Sequence, residues 1–188
     1  MANRDKILSL YEPDIHVIVR GKAGAEVEFG NTFLLGEQSD GVIVDWLMIK
    51  DRTPSDSKLI KASLDRFCVL RGDTMPDAVV ADRGFDSPDN RKLLTKYPET
   101  FNAICPKSPA ALREQMQERR FAKLHRRRSQ TEARIGIFTN SFLGRPMRRK
   151  GFENRELNVI WSVLVHNLWV IARLPEANAG QNQLSRAA

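Results

Sequence analysis

No apolar run in these 188 residues approaches the roughly 20 needed to cross a bilayer, so a membrane-spanning helix is excluded. The opening Met1-Ala2-Asn3-Arg4-Asp5-Lys6 leads into no apolar h-region, which argues against a secretory signal and for a cytoplasmic protein. Cysteine is nearly missing. Cys68 and Cys105 stand alone, without zinc-site spacing or a disulfide framework, and read as buried reduced thiols. There is no internal repeat. What remains is ordinary for a globular chain: 41% hydrophobic residues and enough length for one domain with a real core.

Acid is scarce in one stretch. Arg113 to Lys150 holds twelve Lys/Arg against Glu114, Glu118 and Glu132, so this segment carries +9 while the whole chain carries +7. A concentrated positive patch attracts a polyanion such as DNA through phosphate neutralisation and counterion release. A solvated basic helix without a partner is the plainer alternative, and the concentration of charge weighs against it.

Hydrophobic periodicity gives the element order. Residues 1–26 read as loop, broken by Pro13, Gly21 and Gly24, with one β-prone run at Ile15–Val19. Val27–Gln38 and Val42–Ile49 form a hairpin around Ser39-Asp40-Gly41. Ser55 or Asp56 caps a helix carrying Leu59, Ile60, Leu64, Phe67 and Cys68, and Gly72 ends it. Asp77–Asp82 is a short buried strand ending on an acid, with Gly84 breaking the chain after it. Ser87-Pro88 opens a helix, Phe101–Cys105 a strand. A long helix runs from about Pro109 towards Phe142, loosened near Gly136. The last helix, Arg155–Leu174, is apolar on most sides, which implies deep burial. Residues 176–188 read as a disordered tail after a domain spanning 1–175. The order is ββαβαβα plus a closing helix, an α/β class with a mixed sheet.

Two carboxylates stand out. Asp82 lies at the C-terminal end of a strand beside a glycine-opened loop, the edge where open α/β sheets collect ligands and metals. An aspartate accepting backbone N–H bonds in a turn is the commoner use of such a residue. Glu132 shares a helix face with Arg128, and His125 and Thr139 lie on the same stripe. Phe121, Leu124, Ile135, Phe138 and Phe142 form a neighbouring stripe facing the sheet. An ordinary Arg–Glu pair explains Glu132 equally well by itself.

The string Val80-Ala81-Asp82-Arg83-Gly84-Phe85-Asp86-Ser87 resembles the second-aspartate motif of insertion-sequence transposases with a DDE catalytic domain. Lys22-Ala23-Gly24 and Glu28-Phe29-Gly30-Asn31 resemble the stretch before the second strand of such enzymes. Arg128-x-x-x-Glu132 matches the core of their C-terminal signature, and Val165-His166-Asn167-Leu168 the segment in their last helix. The likeness runs from about Lys6 to Leu174. It departs where the signature has a tyrosine and a lysine, here His125 and Thr139, and the family's first aspartate has no counterpart. Asp14 is the nearest candidate and lies in a Glu-Pro-Asp turn.

The resemblance implies a ribonuclease-H-like mixed sheet, strand order 3-2-1-4-5, with flanking helices and without its first strand. Either Ile15–Val19 fills the gap or the sheet is split. In the family three carboxylates hold two Mg²⁺ (or Mn²⁺) ions about 3.5–4 Å apart; here Asp82 and Glu132 would each bind one. His125, Arg126, Arg127, Arg128, Arg134, Arg148, Arg149 and Lys150 would contact double-stranded DNA at transposon ends. Homo-oligomerisation stays open, and a nucleoid-associated, cytoplasmic location follows. The expectation is an N-terminally truncated or decayed transposase with little activity alone. A non-catalytic DNA-binding product that interferes with intact transposase is the alternative. An RNA-binding housekeeping protein, suggested by charge alone, leaves the Asp82 and Glu132 motifs unexplained.

Overall fold

The computed structural model describes residues 11–22, 25–51, 53–144 and 147–174, with 19–22 and 25–28 as backbone only. The expected tail at 176–188 lies outside the described residues. In order the elements are β1 (His16–Lys22), β2 (Ala25–Gly30), β3 (Phe33–Glu37), β4 (Ile43–Met48), α1 (Leu59–Leu70), β5 (Ala78–Ala81), α2 (Pro88–Leu94), β6 (Phe101–Ile104), α3 (Pro109–Gln115), α4 (Arg119–Ile137), a π-helical turn (Phe138–Leu143) and α5 (Phe152–Ile171). Among the described residues the strands form three separate pairs: β1–β2 antiparallel, β3–β4 antiparallel and β5–β6 parallel. The class is α/β, with the sheet split.

Two expected elements are each divided. The single strand foreseen over Val27–Gln38 breaks because the Asn31 amide donates to the carbonyls of Asp14 (2.8 Å) and Ile49 (3.2 Å) and accepts from Arg155 Nε (3.1 Å). That hub ends β2, which pairs back onto β1, His16 opposite Gly30; the Ile15–Val19 run therefore joins a hairpin and fills no gap. The long helix divides at residues 116–118, where Gln117 and Glu118 N–H groups close turns onto Glu114 and Gln115. Met116 is the one large apolar residue from Arg113 to Arg120, so little burial holds a continuous helix there. Gly72 does end α1, at φ 63°, with Asp73 N–H reaching Cys68 C=O at 2.8 Å, a Schellman closure.

Burial falls into two clusters. One gathers Ile43, Met48, Phe138, Phe152, Val159 and Val163 from β4, the π turn and α5; the other gathers Ile60, Leu94 and Ile104 from α1, α2 and β6. Helix α4 spans them, lying against β5 and β6 near its start and delivering Phe138 to the first cluster at its end. The foreseen loosening comes just after Gly136: the α-helix holds to Ile137, then widens into the π turn. There the Thr139 hydroxyl donates towards the carbonyls of Ile135 (2.9 Å) and Gly136 (3.1 Å).

Helix α5 corrects the expectation of deep burial. It starts at Phe152, three residues earlier than expected. Val159, Ser162, Val163, His166 and Val170 face the core, but Leu157, Ile160, Trp161, Leu164, Val165, Leu168 and Ile171 are between 42% and 59% exposed. Its docking to β4 is polar as well as apolar. The Asn167 amide accepts from Ile43 N–H and donates to Ile43 C=O, both at 2.8 Å, so one side chain stands in for a residue of a neighbouring strand. His166 is buried with its ring edge-on to Phe138 and Phe142.

Candidate functional site

Asp82 follows the last residue of β5 directly, and the chain then turns through Arg83-Gly84-Phe85 in a single 3₁₀ turn. The Asp82 side chain makes no capping bond to that turn. The commoner use of such an aspartate is thereby set aside, and its carboxylate is half exposed, at 51%. A close-packed loop holds it. A Cβ on Gly84 would meet Asp56 Oδ2 at 2.5 Å, so glycine lets the turn lie against the chain before α1.

The next acid, Asp86, anchors the loop. It is 4% exposed and accepts from Arg91 Nε (2.7 Å) and Nη2 (2.8 Å) and from Lys107 N–H (2.9 Å). The Arg91 bonds hold its carboxyl below the usual range, against the opposing effect of burial. Asn90 completes the frame, its amide donating to the carbonyls of Ser57 (2.8 Å) and Phe85 (2.7 Å). These two residues were not singled out from the sequence. Asp86 lies inside the quoted motif, and an acid five residues before an arginine across a helix start was the available signal.

Helix α4 brings the second carboxylate. Arg128 reaches Asp82 with one guanidinium nitrogen in a short bond and Glu132 with the other at 3.6 Å. The arginine thus stands between the two acids, and the bond it donates to Asp82 is the main reason its own pKa is raised. Glu132 is 61% exposed. Beneath lies Cys105, buried and linked to the end of β5 by its N–H to Ala81 C=O at 2.9 Å. Burial pushes its thiol pKa up, which keeps it neutral rather than nucleophilic.

The other basic candidates are spread out. His125 is half-buried and stacked on Phe121 at 5.6 Å, on the Arg128 side of the helix. Arg134 turns to Glu37 (3.3 Å), which also accepts from Thr131 (2.7 Å), so it fastens α4 to β3. Arg126 is exposed in a row with Arg119 and Lys123, and helical spacing puts that row on roughly the opposite side of α4 from Arg128 and Glu132. Arg127 is half-buried between the two faces, and Arg148, Arg149 and Lys150 are exposed on the segment before α5. Asp14 makes no part of this site; its carbonyl serves Asn31.

Asp82 and Glu132 are hard oxygen donors of the kind Mg²⁺ and Mn²⁺ take. Among the described residues, however, no group of three or more His, Cys, Asp or Glu side chains is placed to hold a metal. Two carboxylates already bridged by a guanidinium do not fit a two-ion centre. A shallow cavity of about 180 Å³ opens elsewhere, lined by Arg134, His166, Trp169 and Arg173, and includes neither acid. No helix among the described residues is long and apolar enough to cross a membrane.

No curated protein and no solved structure matches this sequence. The family model described as "Transposase DDE domain" matches residues 38–168, more than half of the chain and a span containing Asp82, Arg128 and Glu132. The chain belongs to the DDE transposase family.

Proposed function

We propose that the chain contributes part of a ribonuclease-H-like transposase catalytic domain, with Asp82 and Glu132 as its catalytic carboxylates, and that it does not cleave or join DNA strands alone. The carrying observation is the Asp82–Arg128–Glu132 cluster, in which residues fifty positions apart in the matched span share one guanidinium. Strand cleavage and transfer is a phosphoryl displacement that a pair of ions, clamped by several carboxylates, makes accessible. Among the described residues two acids with Arg128 between them do not make that clamp, which supports the reading of a chain incomplete by itself. Arg128 balances the charge that Asp82 and Glu132 would otherwise present to each other.

The exposed cations favour a second reading, a DNA-binding product that competes with intact transposase for transposon ends. Arg126, Arg148, Arg149 and Lys150 would contact phosphates, which fixes position without reading sequence. Incubating the purified chain with transposon-end DNA and Mg²⁺ or Mn²⁺ tests both readings. The expected result is salt-sensitive DNA binding, unchanged by Asp82→Ala, with no strand cleavage or joining. Robust cleavage abolished by Asp82→Ala would overturn the incomplete-site reading. Absence of any DNA binding would overturn the second.

A further inference from the structure

The cavity beside the β3–β4 turn lies apart from Asp82 and Glu132. Its volume is about 180 Å³. That is below the roughly 300–1,000 Å³ that holds a drug-sized molecule, so it suits one small group. Arg134 enters from α4, His166 and Trp169 from α5, and Arg173 from just past the end of α5. His166 is 3% exposed, and its one hydrogen bond joins Nδ1 to Asn167 Oδ1 at 3.4 Å. Ile43 fixes which way the Asn167 amide points: Oδ1 accepts from Ile43 N–H while Nδ2 donates to Ile43 C=O. Oδ1 can only accept from the ring as well. Nδ1 therefore carries the hydrogen, and the neutral imidazole holds a lone pair at Nε2. Nε2 has no partner among the described residues, and it is not sealed off, since the one enclosed side-chain atom without a partner there is Arg155 Nη2. The opening beside this ring is the cavity.

The two guanidiniums are held but not used up. Arg173 stacks on the Trp169 ring at 4.1 Å and donates from Nη1 to Trp169 C=O at 3.0 Å, and it meets no carboxylate among the described residues. Arg134 gives Nη1 to Glu37 at 3.3 Å and keeps Nε and Nη2 unengaged. Its guanidinium lies on the turn, where a Cβ at position 41 would come within 3.2 Å of Cζ; Gly41, at φ 97°, has none. Asp40 is the one acid on the lining, with Oδ1 tied to Val42 N–H at 3.0 Å. From this set we infer that the cavity binds a phosphate group that still carries a hydrogen. Its charged oxygens accept from Arg173 and Arg134, which favour a tetrahedral oxyanion, and its P–OH donates to His166 Nε2. An internal phosphodiester, a carboxylate or a sulfate has no hydrogen to give at neutral pH, and each would set a lone pair against that of Nε2. The group is thus free phosphate or the phosphorylated end of a larger molecule, and not the backbone inside a duplex.

Calorimetric titration of the full chain with inorganic phosphate at pH 7 gives the first readout, with sulfate as the ion of like shape that lacks the hydrogen. The expected result is saturable binding of one phosphate, with sulfate at least ~10-fold weaker and Arg173→Gln weakening phosphate by at least ~10-fold. Asp40→Asn should tighten it by ~3-fold, because the one carboxylate on the lining is gone. Nitrogen resonances of the three histidine rings give the second readout, in the parent chain. Nε2 of His166 should move on adding phosphate and stay in place on adding sulfate, with His16 and His125 as internal references. Arg173 lies outside the core, so Arg173→Gln is expected to fold; should it fail to, the ring resonances and the sulfate comparison decide. A short 5′-phosphorylated oligonucleotide and its unphosphorylated twin then separate the two sources. Competition by the phosphorylated strand alone supports a strand end, and competition by neither supports free phosphate. No saturation by ~10 mM phosphate, equal binding of sulfate, indifference to Arg173→Gln, an unmoved His166 Nε2, or competition by both strands alike would overturn the inference.

Discussion

Replacing Asp86 by alanine isolates the anchor of the Asp82 loop. Its carboxylate is 4% exposed and receives two guanidinium bonds and one backbone N–H. Hydrogen bonds to a charged group contribute ~1.5–3 kcal/mol net, and a backbone N–H left without its acceptor costs ~1 kcal/mol more. Arg91 is 58% exposed and returns to water when its partner is removed, so the larger penalty of a stranded buried charge does not arise. The expected loss is therefore ~3 kcal/mol. With a urea dependence of ~2 kcal/mol per M, the unfolding midpoint should fall by ~1.5 M. Asp86→Asn keeps an acceptor for Lys107 and should lose about half as much. The sign with pH follows from the lowered carboxyl pKa, caused first by Arg91. The contribution is present above the unfolded value of about 3.9 and is lost as pH falls through the folded value. Arg91→Ala removes the main cause of the lowered value, so the part of the stability lost on acidification should be smaller than in the parent, with the total stability lower at neutral pH. A midpoint for Asp86→Ala within ~0.3 M of the parent would refute the reasoning.

Three further outcomes are expected. Phe138→Ala empties a site that is 1% exposed and joins α4, β3 and α5, and should cost ~3–5 kcal/mol by the same urea assay. Asn167→Ala leaves Ile43 N–H and C=O without their present partner, and should lower stability by ~2 kcal/mol while speeding amide exchange at Ile43. Arg128→Gln removes the cation between Asp82 and Glu132. Mn²⁺ binding, read by electron paramagnetic resonance, should tighten by ~10-fold and should be lost again on adding Asp82→Asn; equal binding by parent and Arg128→Gln would show that the arginine does not compete.

The parts of this site that follow local rules were legible in the sequence. Ala78-Val79-Val80-Ala81 is an apolar run closed by an acid and a glycine, and β5 ends where that pattern ends. Arg128 and Glu132 share a face because four residues make about one turn. The bond from Arg128 to Asp82 crosses forty-six positions and depends on how α4 lies against β5, which no local pattern encodes. Two readings failed for related reasons. An all-round apolar helix says that its surface avoids water, not which side this chain covers, and α5 leaves one side open. Asn31 looked like part of a continuous strand, yet its side chain satisfies three groups brought from Asp14, Ile49 and Arg155, and that ended the strand.

The Asn167 amide has a consequence for how this chain meets other chains. A strand edge recruits a foreign strand by offering an N–H and a C=O together, and Ile43 has already given both to a helix of its own molecule. An invading strand must first displace a partner that needs no encounter to return. The amide therefore works as a gatekeeper against templated aggregation at the start of β4, by a side chain rather than by charge or proline.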